Sequence, residues 1–298
     1  MPIKRKYTKI ETETGAILEE GTEKVYTTEE INKQDAKNKQ NKKLTEFEIF
    51  IKEIGSFSFL FYDYLKDLPI LPEIKARFIF LTTYIKYNSN CLLVDTDDQF
   101  PLSLTRETLK DKLKLKEDAF IKTIKVLKEN NLIYENHNCY YIDEKIVTKG
   151  RLSKSQKKKS YTRLFSDYVK ELYNMANTRQ HGQLYYFFAI LPLVNFKYNC
   201  VCSNREETDL PKIKPMDIKS ICEHVGYKPK DWKKFWSNLR YFKINNQNLI
   251  STKIYDEYMF ISVNPNLYYA GNENCLNEIK ILLHEFYNEN LQQHMVNK

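Results

Sequence analysis

Apolar and polar positions fall into two stretches of the same design. From Thr105 to Ile142 a short amphipathic segment leads into a tight turn, a longer amphipathic segment and two brief alternating runs with a polar tip. The same succession returns from Met216 to Val263. Apolar residues three and four apart mark the helical segments, and alternation marks the strands. In the first copy the longer helix is expected over Glu117 to Asn130, with strands at Leu132 to Tyr134 and Cys139 to Ile142. In the second the helices are expected at about Met216 to Val225 and Pro229 to Tyr241, with strands at Leu249 to Ile254 and Tyr258 to Val263. An offset of 112 residues lays Leu113 on Val225, Leu115 on Tyr227, Phe120 on Trp232, Ile124 on Trp236 and Leu127 on Leu239. Helix, turn, helix and hairpin in that order describe a winged helix-turn-helix. The expected fold class is mainly α with small β: two winged helix-turn-helix modules plus flanking helices.

Composition divides the rest of the chain. Residues 1–44 are rich in Lys, Glu, Thr, Gln and Asn and poor in apolar side chains, so a disordered tail is expected. Residues 45–68 hold Phe47, Phe50, Phe57, Phe59, Phe61, Tyr62 and Tyr64 and predict an aromatic helix, broken near Gly55, that covers the first module or a second subunit. Residues 69–148 form module 1, opening on Pro69, Pro72 and a helix over Glu73 to Tyr87. Residues 149–160 are a basic linker. Residues 161–272 form module 2 with a leading helix over Tyr161 to Ala176. The first helix of that module, Gly182 to Tyr198, should kink or stop at Pro192. Residues 273–298 predict a C-terminal helix.

Charge separates the two copies. The formal net charge is +8. Residues 1–148 carry 24 basic and 25 acidic side chains, and residues 149–159 carry six basic and no acidic ones. Residues 160–272 carry 15 basic and 10 acidic. A basic surplus in the linker and second copy favours a polyanionic partner. With Trp232, Trp236 and Leu239 turned inward, the second helix offers Lys230, Lys233, Lys234, Ser237, Asn238, Arg240 and Tyr241, which can neutralise phosphates and reach base edges. The first copy offers a poorer set, Lys122, Thr123 and Lys125, beside Glu129. Lys154, Lys157, Lys158 and Lys159 of the linker are candidates to follow a phosphate backbone. The alternative for each group is an ordinary solvated face.

Little points to catalysis. Only seven glycines are present, few for phosphate-cradling loops, and no P-loop, HExxH or paired-histidine metal motif occurs. Cys200, Cys202, Cys222 and His224 have been weighed as a zinc set. Cys222 and His224 are two residues apart on a helix and so point about 200° apart, which argues against it. No metal, cofactor or catalytic residue is expected, and the chain is read as a non-enzyme. There is no apolar run of about 18 residues and no secretory signal, so a cytoplasmic location with reduced thiols is expected, without membrane association.

The segments RLSKSQKKKSYTRLFSDYVKELY (Arg151 to Tyr173) and YMFISVNPNLYYAGN (Tyr258 to Asn272) resemble replication initiators of plasmids and phages from low-GC Gram-positive bacteria. The resemblance covers roughly residues 160–272. It implies a tandem winged-helix protein in which one module serves dimerisation and the other binds double-stranded DNA at repeated origin sites. The expected partners are AT-rich or repeated duplex DNA, a second copy joined through module 1 and the 45–68 helix, and host replication proteins. Two other readings use the same modules. One is a transcriptional regulator or autorepressor; the other is a partition or host-interaction factor that binds protein.

Overall fold

A computed structural model describes residues 3–10, 17–25, 30–38, 49, 55–87, 91–95, 102–244, 247–255, 258–265, 268–271 and 278. The chain separates into two compact units, Met1–Phe50 and Ile51–Lys298. In the first, strands β1 (Ile3–Ile10) and β2 (Ile17–Val25) pair antiparallel, from Ile3 opposite Val25 to Ile10 opposite Ile17. Helix α1 follows over 30–38. Strand and helix therefore stand where composition predicts a disordered tail.

The second unit opens on β3 (Phe57–Leu60) and a short helix α2 (Tyr62–Lys66). The expected aromatic helix is thus a strand across part of its length. β3 is the centre of a three-stranded antiparallel sheet, between β6 (Val147–Thr148) and β7 (Thr162–Phe165). These three strands come from before, between and at the start of the two copies, so one small sheet ties both together. Aromatic rings explain the preference: Phe57 meets Phe165 at 5.6 Å and Phe59 meets Tyr161 at 5.1 Å, cross-strand packing that a lone helix lacks. Leu60, Phe61 and Leu65 are buried in the same unit, while Phe57, Phe59 and Tyr62 are half-buried and Tyr64 is exposed.

Each copy then runs helix, bridge, helix, helix, hairpin. In the first copy α3 (Pro72–Leu81) is followed by α4 (Arg106–Leu113), α5 (Glu117–Glu129), β4 (Ile133–Asn136) and β5 (Cys139–Ile142). Helix α6 (Ser166–Met175) leads into the second copy. There α7 (His181–Ile190) is followed by α8 (Ile218–His224) and α9 (Trp232–Tyr241). A small pair β8 (Lys243–Ile244) and β9 (Gln247–Asn248) precedes the hairpin β10 (Ile250–Tyr255) and β11 (Tyr258–Val263). The leading helix begins five residues later than Tyr161 because Thr162–Phe165 are spent on the sheet. Pro192 closes α7 in a single 3₁₀ turn, Leu191–Leu193, as expected of a residue lacking a donor. The expected C-terminal helix lies outside the described residues apart from Glu278.

The 112-residue offset also relates the caps and turns of the paired helices. Thr105 caps α4, its hydroxyl accepting from the Thr108 amide, and Asp217 caps α8 by accepting from Ser220. Both helices then end in a left-handed residue, Lys114 (φ 53°) in one copy and Gly226 (φ 75°) in the other. That turn sets the angle between paired helices. In each copy the strand before the paired helices joins the hairpin: Leu92 bridges Tyr141, and Cys200 bridges Ser262. The β4–β5 tip is tighter than expected. Asn136 pairs with Cys139, leaving a two-residue turn in which His137 and Asn138 both take positive φ.

The copies meet through their first helices. Gly182 of α7 lies against Pro72 and Glu73 of α3, where a Cβ would sit 3.8 Å from both. Around this contact the core holds two buried cations, Lys75, which lies over the Tyr185 ring and donates to the Lys66 carbonyl, and Arg77, the centre of a polar knot. Arg77 of α3, buried, donates Nη1 to Thr123 Oγ1 at 2.8 Å and Nε to His181 Nδ1 at 3.4 Å. Tyr173 stacks on His181 at 4.3 Å and on Phe80 at 3.8 Å, and its hydroxyl donates to the Leu113 carbonyl.

Candidate nucleic-acid interface

Helix α9 is built to bury one face and expose another. Phe235 and Leu239 are buried, Trp232 and Trp236 are half-buried on the flank, and Lys233, Lys234, Ser237, Arg240 and Tyr241 are exposed. The inward face is therefore centred on Phe235 and Leu239, rotated from the Trp232, Trp236 and Leu239 set expected from sequence. Phe235 wins the interior because Tyr227 and Tyr186 close around it, with ring centroids 5.1 Å and 6.2 Å away. Trp236 is left at the rim.

The exposed face forms one wall of an open groove of about 660 Å³. Five of the seven residues assigned to this helix line it: Lys233, Ser237, Asn238, Arg240 and Tyr241. Lys230 and Lys234 are exposed but stand outside the groove, and Asn238 is half-buried. Sequence spacing missed Gln180 and Gln183 from the start of α7, together with Lys243 and the rim ring of Trp236. No linear signal joins Gln180 to Tyr241; only the packing of α7 on α9 brings them together. The groove has three cations, Lys233, Arg240 and Lys243, and no carboxylate among its described lining residues. Amide and hydroxyl groups of Gln180, Gln183, Ser237, Asn238 and Asn248 stand among them. Such a surface attracts phosphate by charge and offers donors and acceptors to base edges.

The first copy is different. Lys122 and Lys125 are exposed on α5, but Thr123 is not: its side chain is fully buried and hydrogen-bonded to Arg77 and to the Ala119 carbonyl. Thr123 is therefore withdrawn as a DNA contact. It sits one position from the buried Ile124 on the inward side of the helix, where Arg77 needs an acceptor. Lys125 and other cations of this copy are answered by acids. Lys125 lies 3.8 Å from Glu129, Lys128 lies 2.6 Å from Glu135, and Glu117 takes both Lys110, at 2.6 Å, and Arg106. The Arg106 and Lys110 cations hold the Glu117 carboxyl below its usual range, with the Lys110 hydrogen bond the larger cause.

The linker lysines do not join the α9 groove. Lys154 is exposed, while Lys157, Lys158 and Lys159 line a separate groove with Arg163 and Arg205. The four residues weighed as metal ligands are divided among different surroundings. Cys200 and Cys202 share a buried cluster with Ile213 and Phe260, and hydrogen bonding to Cys202 together with burial pushes the Cys200 thiol up. Cys222 is buried on α8, and burial raises its thiol to about 11. His224 stands 3.4 Å from the Lys66 amine, and burial and that cation lower its basicity. Among the described residues no three His, Cys, Asp or Glu side chains form a group able to hold a metal ion. Among them, too, no helix is long and apolar enough to cross a membrane.

No family model, curated protein or solved structure matches this chain.

Proposed function

We propose that this chain is a sequence-specific double-stranded DNA-binding protein made of two winged helix-turn-helix modules, and that its task is to initiate replication at repeated origin sites. The observation that carries the reading is the α9 groove, where three cations and the amides of Gln180, Gln183, Asn238 and Asn248 gather from α7, α9 and the β8–β9 pair, with no carboxylate among the described lining residues. The winged-helix assignment draws support from the order of elements and from the bridges that join each first strand to its hairpin. In this reading α9 enters the major groove and module 2 does most of the binding. Module 1, with its charge-balanced α5, serves assembly with a second copy or with host replication proteins. Non-catalytic action in the cytoplasm belongs to the same proposal.

The test uses the full chain and duplexes taken from around its own gene. Binding is measured by fluorescence anisotropy across a salt series, for the wild type and for Lys233→Gln/Arg240→Gln. Removal of two phosphate contacts should lower the slope of log K against log salt by about 1.8, and leave melting unchanged. No affinity for any duplex at roughly 50 mM salt would sink the DNA reading. Initiation is separated from repression by a replicon rescue. A plasmid without its own replicon should be maintained when it carries this gene with its flanking repeats, and a repressor would not maintain it.

A further inference from the structure

The second groove is a positively charged site distinct from α9. After β6 the linker makes one 3₁₀ turn, Gln156–Lys158, and places Lys157, Lys158 and Lys159 along a cleft of about 380 Å³. Arg163 of β7 and Arg205 complete the lining, and Glu206 is the one acidic member among the described residues. Five cations thus stand against one carboxylate.

How the arginines are held is the informative detail. Arg205 donates Nη1 to the Pro192 carbonyl at 2.8 Å and to the Tyr62 hydroxyl at 3.4 Å, and Nη2 to the Tyr161 carbonyl at 3.3 Å. Its guanidinium lies 4.3 Å from the Phe196 ring centroid. Arg163 donates Nη1 to the Gly271 carbonyl and stands over Phe57 at 5.6 Å. Every partner of both side chains among the described residues is neutral, and Lys157, Lys158 and Lys159 have no ion pair among them either. Half-buried arginines ordinarily face acids, because removing their charge from water is costly. Here neutral acceptors and aromatic faces fix two guanidinium groups in place and leave their charge uncompensated. Positioned cations without counter-charge form a preorganised receptor for a multiply charged anion.

We propose that this groove binds phosphate groups, independently of what α9 binds. The phosphates have two possible sources, the backbone of a duplex running past the linker or a free phosphorylated small molecule. Inorganic pyrophosphate is the probe for the site itself. Added to the full chain without DNA, it should raise Tm on the order of 5 °C at a hundredfold excess over its Kd. The rise should vanish in Lys157→Gln/Lys158→Gln/Lys159→Gln, whose exposed side chains leave the fold intact. It should grow in Glu206→Gln, which removes the one opposing charge; a purely structural role for Glu206 gives no such gain. A duplex titration of the triple variant then assigns the source. A salt slope lower by about 2–3 identifies DNA backbone. An unchanged slope, with the pyrophosphate effect lost, identifies a small phosphorylated ligand. The proposal is overturned if pyrophosphate leaves Tm unmoved and the slope is unchanged, or if the Tm rise persists in full in the triple variant. Because the pyrophosphate arm needs no DNA, failure of the α9 reading does not decide it.

Discussion

Replacing Thr123 should damage stability and spare DNA binding. The hydroxyl accepts from the Arg77 guanidinium at 2.8 Å and donates to the Ala119 carbonyl at 2.7 Å, with neither Arg77 nor Thr123 exposed. Thr123→Val keeps the shape and removes the acceptor, stranding one Arg77 donor in the core. Hydrogen bonds to charged groups contribute about 1.5–3 kcal/mol, so a loss of about 2 kcal/mol is expected. Thr123→Ala also deletes a buried methyl group, worth roughly 0.8 kcal/mol, while its better helix propensity returns about 0.5 kcal/mol. The two variants should therefore melt close together, roughly 4–8 °C below wild type for a unit of this size. Thr123→Ser, which keeps the hydroxyl, should lose little. Arg77→Met combined with Thr123→Val should be less unstable than the two single changes added together, because the second change no longer strands a charge. Thermal and urea melts followed by circular dichroism give the stabilities, and anisotropy gives the affinity. A Thr123→Val variant within about 0.5 kcal/mol of wild type, or one that loses DNA affinity at unchanged stability, would refute the inward placement.

Two further predictions rest on single positions. His181 is buried, and burial together with the Arg77 charge lowers its pKa from 6.5 to about 4, against a weaker opposing hydrogen bond with Ala176. As pH falls the unfolded chain takes up this proton first, so the stability is full above pH 6.5 and drains away between there and about 4. The loss should be about 2 kcal/mol between pH 6.5 and 5, and urea titrations of His181→Gln should lack it; an identical pH profile in that variant would count against the mechanism. The left-handed turn gives the other prediction, since Lys114 and Gly226 hold the same place in the two copies. Lys114→Gly should stabilise by roughly 0.5–1 kcal/mol and Gly226→Lys should destabilise by about 1 kcal/mol, both read from urea midpoints. A Lys114→Gly variant no more stable than wild type, together with a Gly226→Lys variant no less stable, would mean that the turn is not the determinant.

Much of the helical framework was legible because it is written in local signals. Thr105 as a cap, Pro229 as a first-turn residue, Pro192 as a terminator and the paired apolar stripes act through their near neighbours. Residues 57–60 were illegible for the opposite reason. Phe57, Phe59 and Leu60 fit a helix or a strand, and the decision is made by Phe165 and Tyr161, about a hundred residues away. The site shows the same division. The charged face of α9 follows from helical spacing, because burying lysines and arginine is costly and an amphipathic helix turns them outward. Spacing alone placed Thr123 at the edge of the exposed arc, since a threonine carries no strong preference for either side. Its position is set by Arg77, forty-six residues earlier. Gln180 and Gln183 enter the groove by tertiary packing and leave no mark on the sequence near α9.

The same pair of residues also explains why the copies diverge. An offset of 109 residues carries α3 onto α7 and Arg77 onto Tyr186; an offset of 112 carries Thr123 onto Phe235. In the first copy the two positions hold a hydrogen-bonded polar pair, Arg77 and Thr123, and in the second a contacting aromatic pair, Tyr186 and Phe235, with centroids 6.2 Å apart. One contact between first and third helices has thus been kept while its chemistry changed. The polar version reaches further, because the Arg77 fork also meets His181 of the other copy. The first copy spends its buried cation on joining the modules, and its outer helix face is neutralised by Glu117, Glu129 and Glu135. The second places the Tyr186–Phe235 ring pair at the matching contact and keeps its cations, Lys233, Arg240 and Lys243, on an outer groove with no acid among its described residues. A buried arginine that joins the copies in one half and exposed cations along a groove in the other fit the proposed division into a joining module and a DNA-holding module.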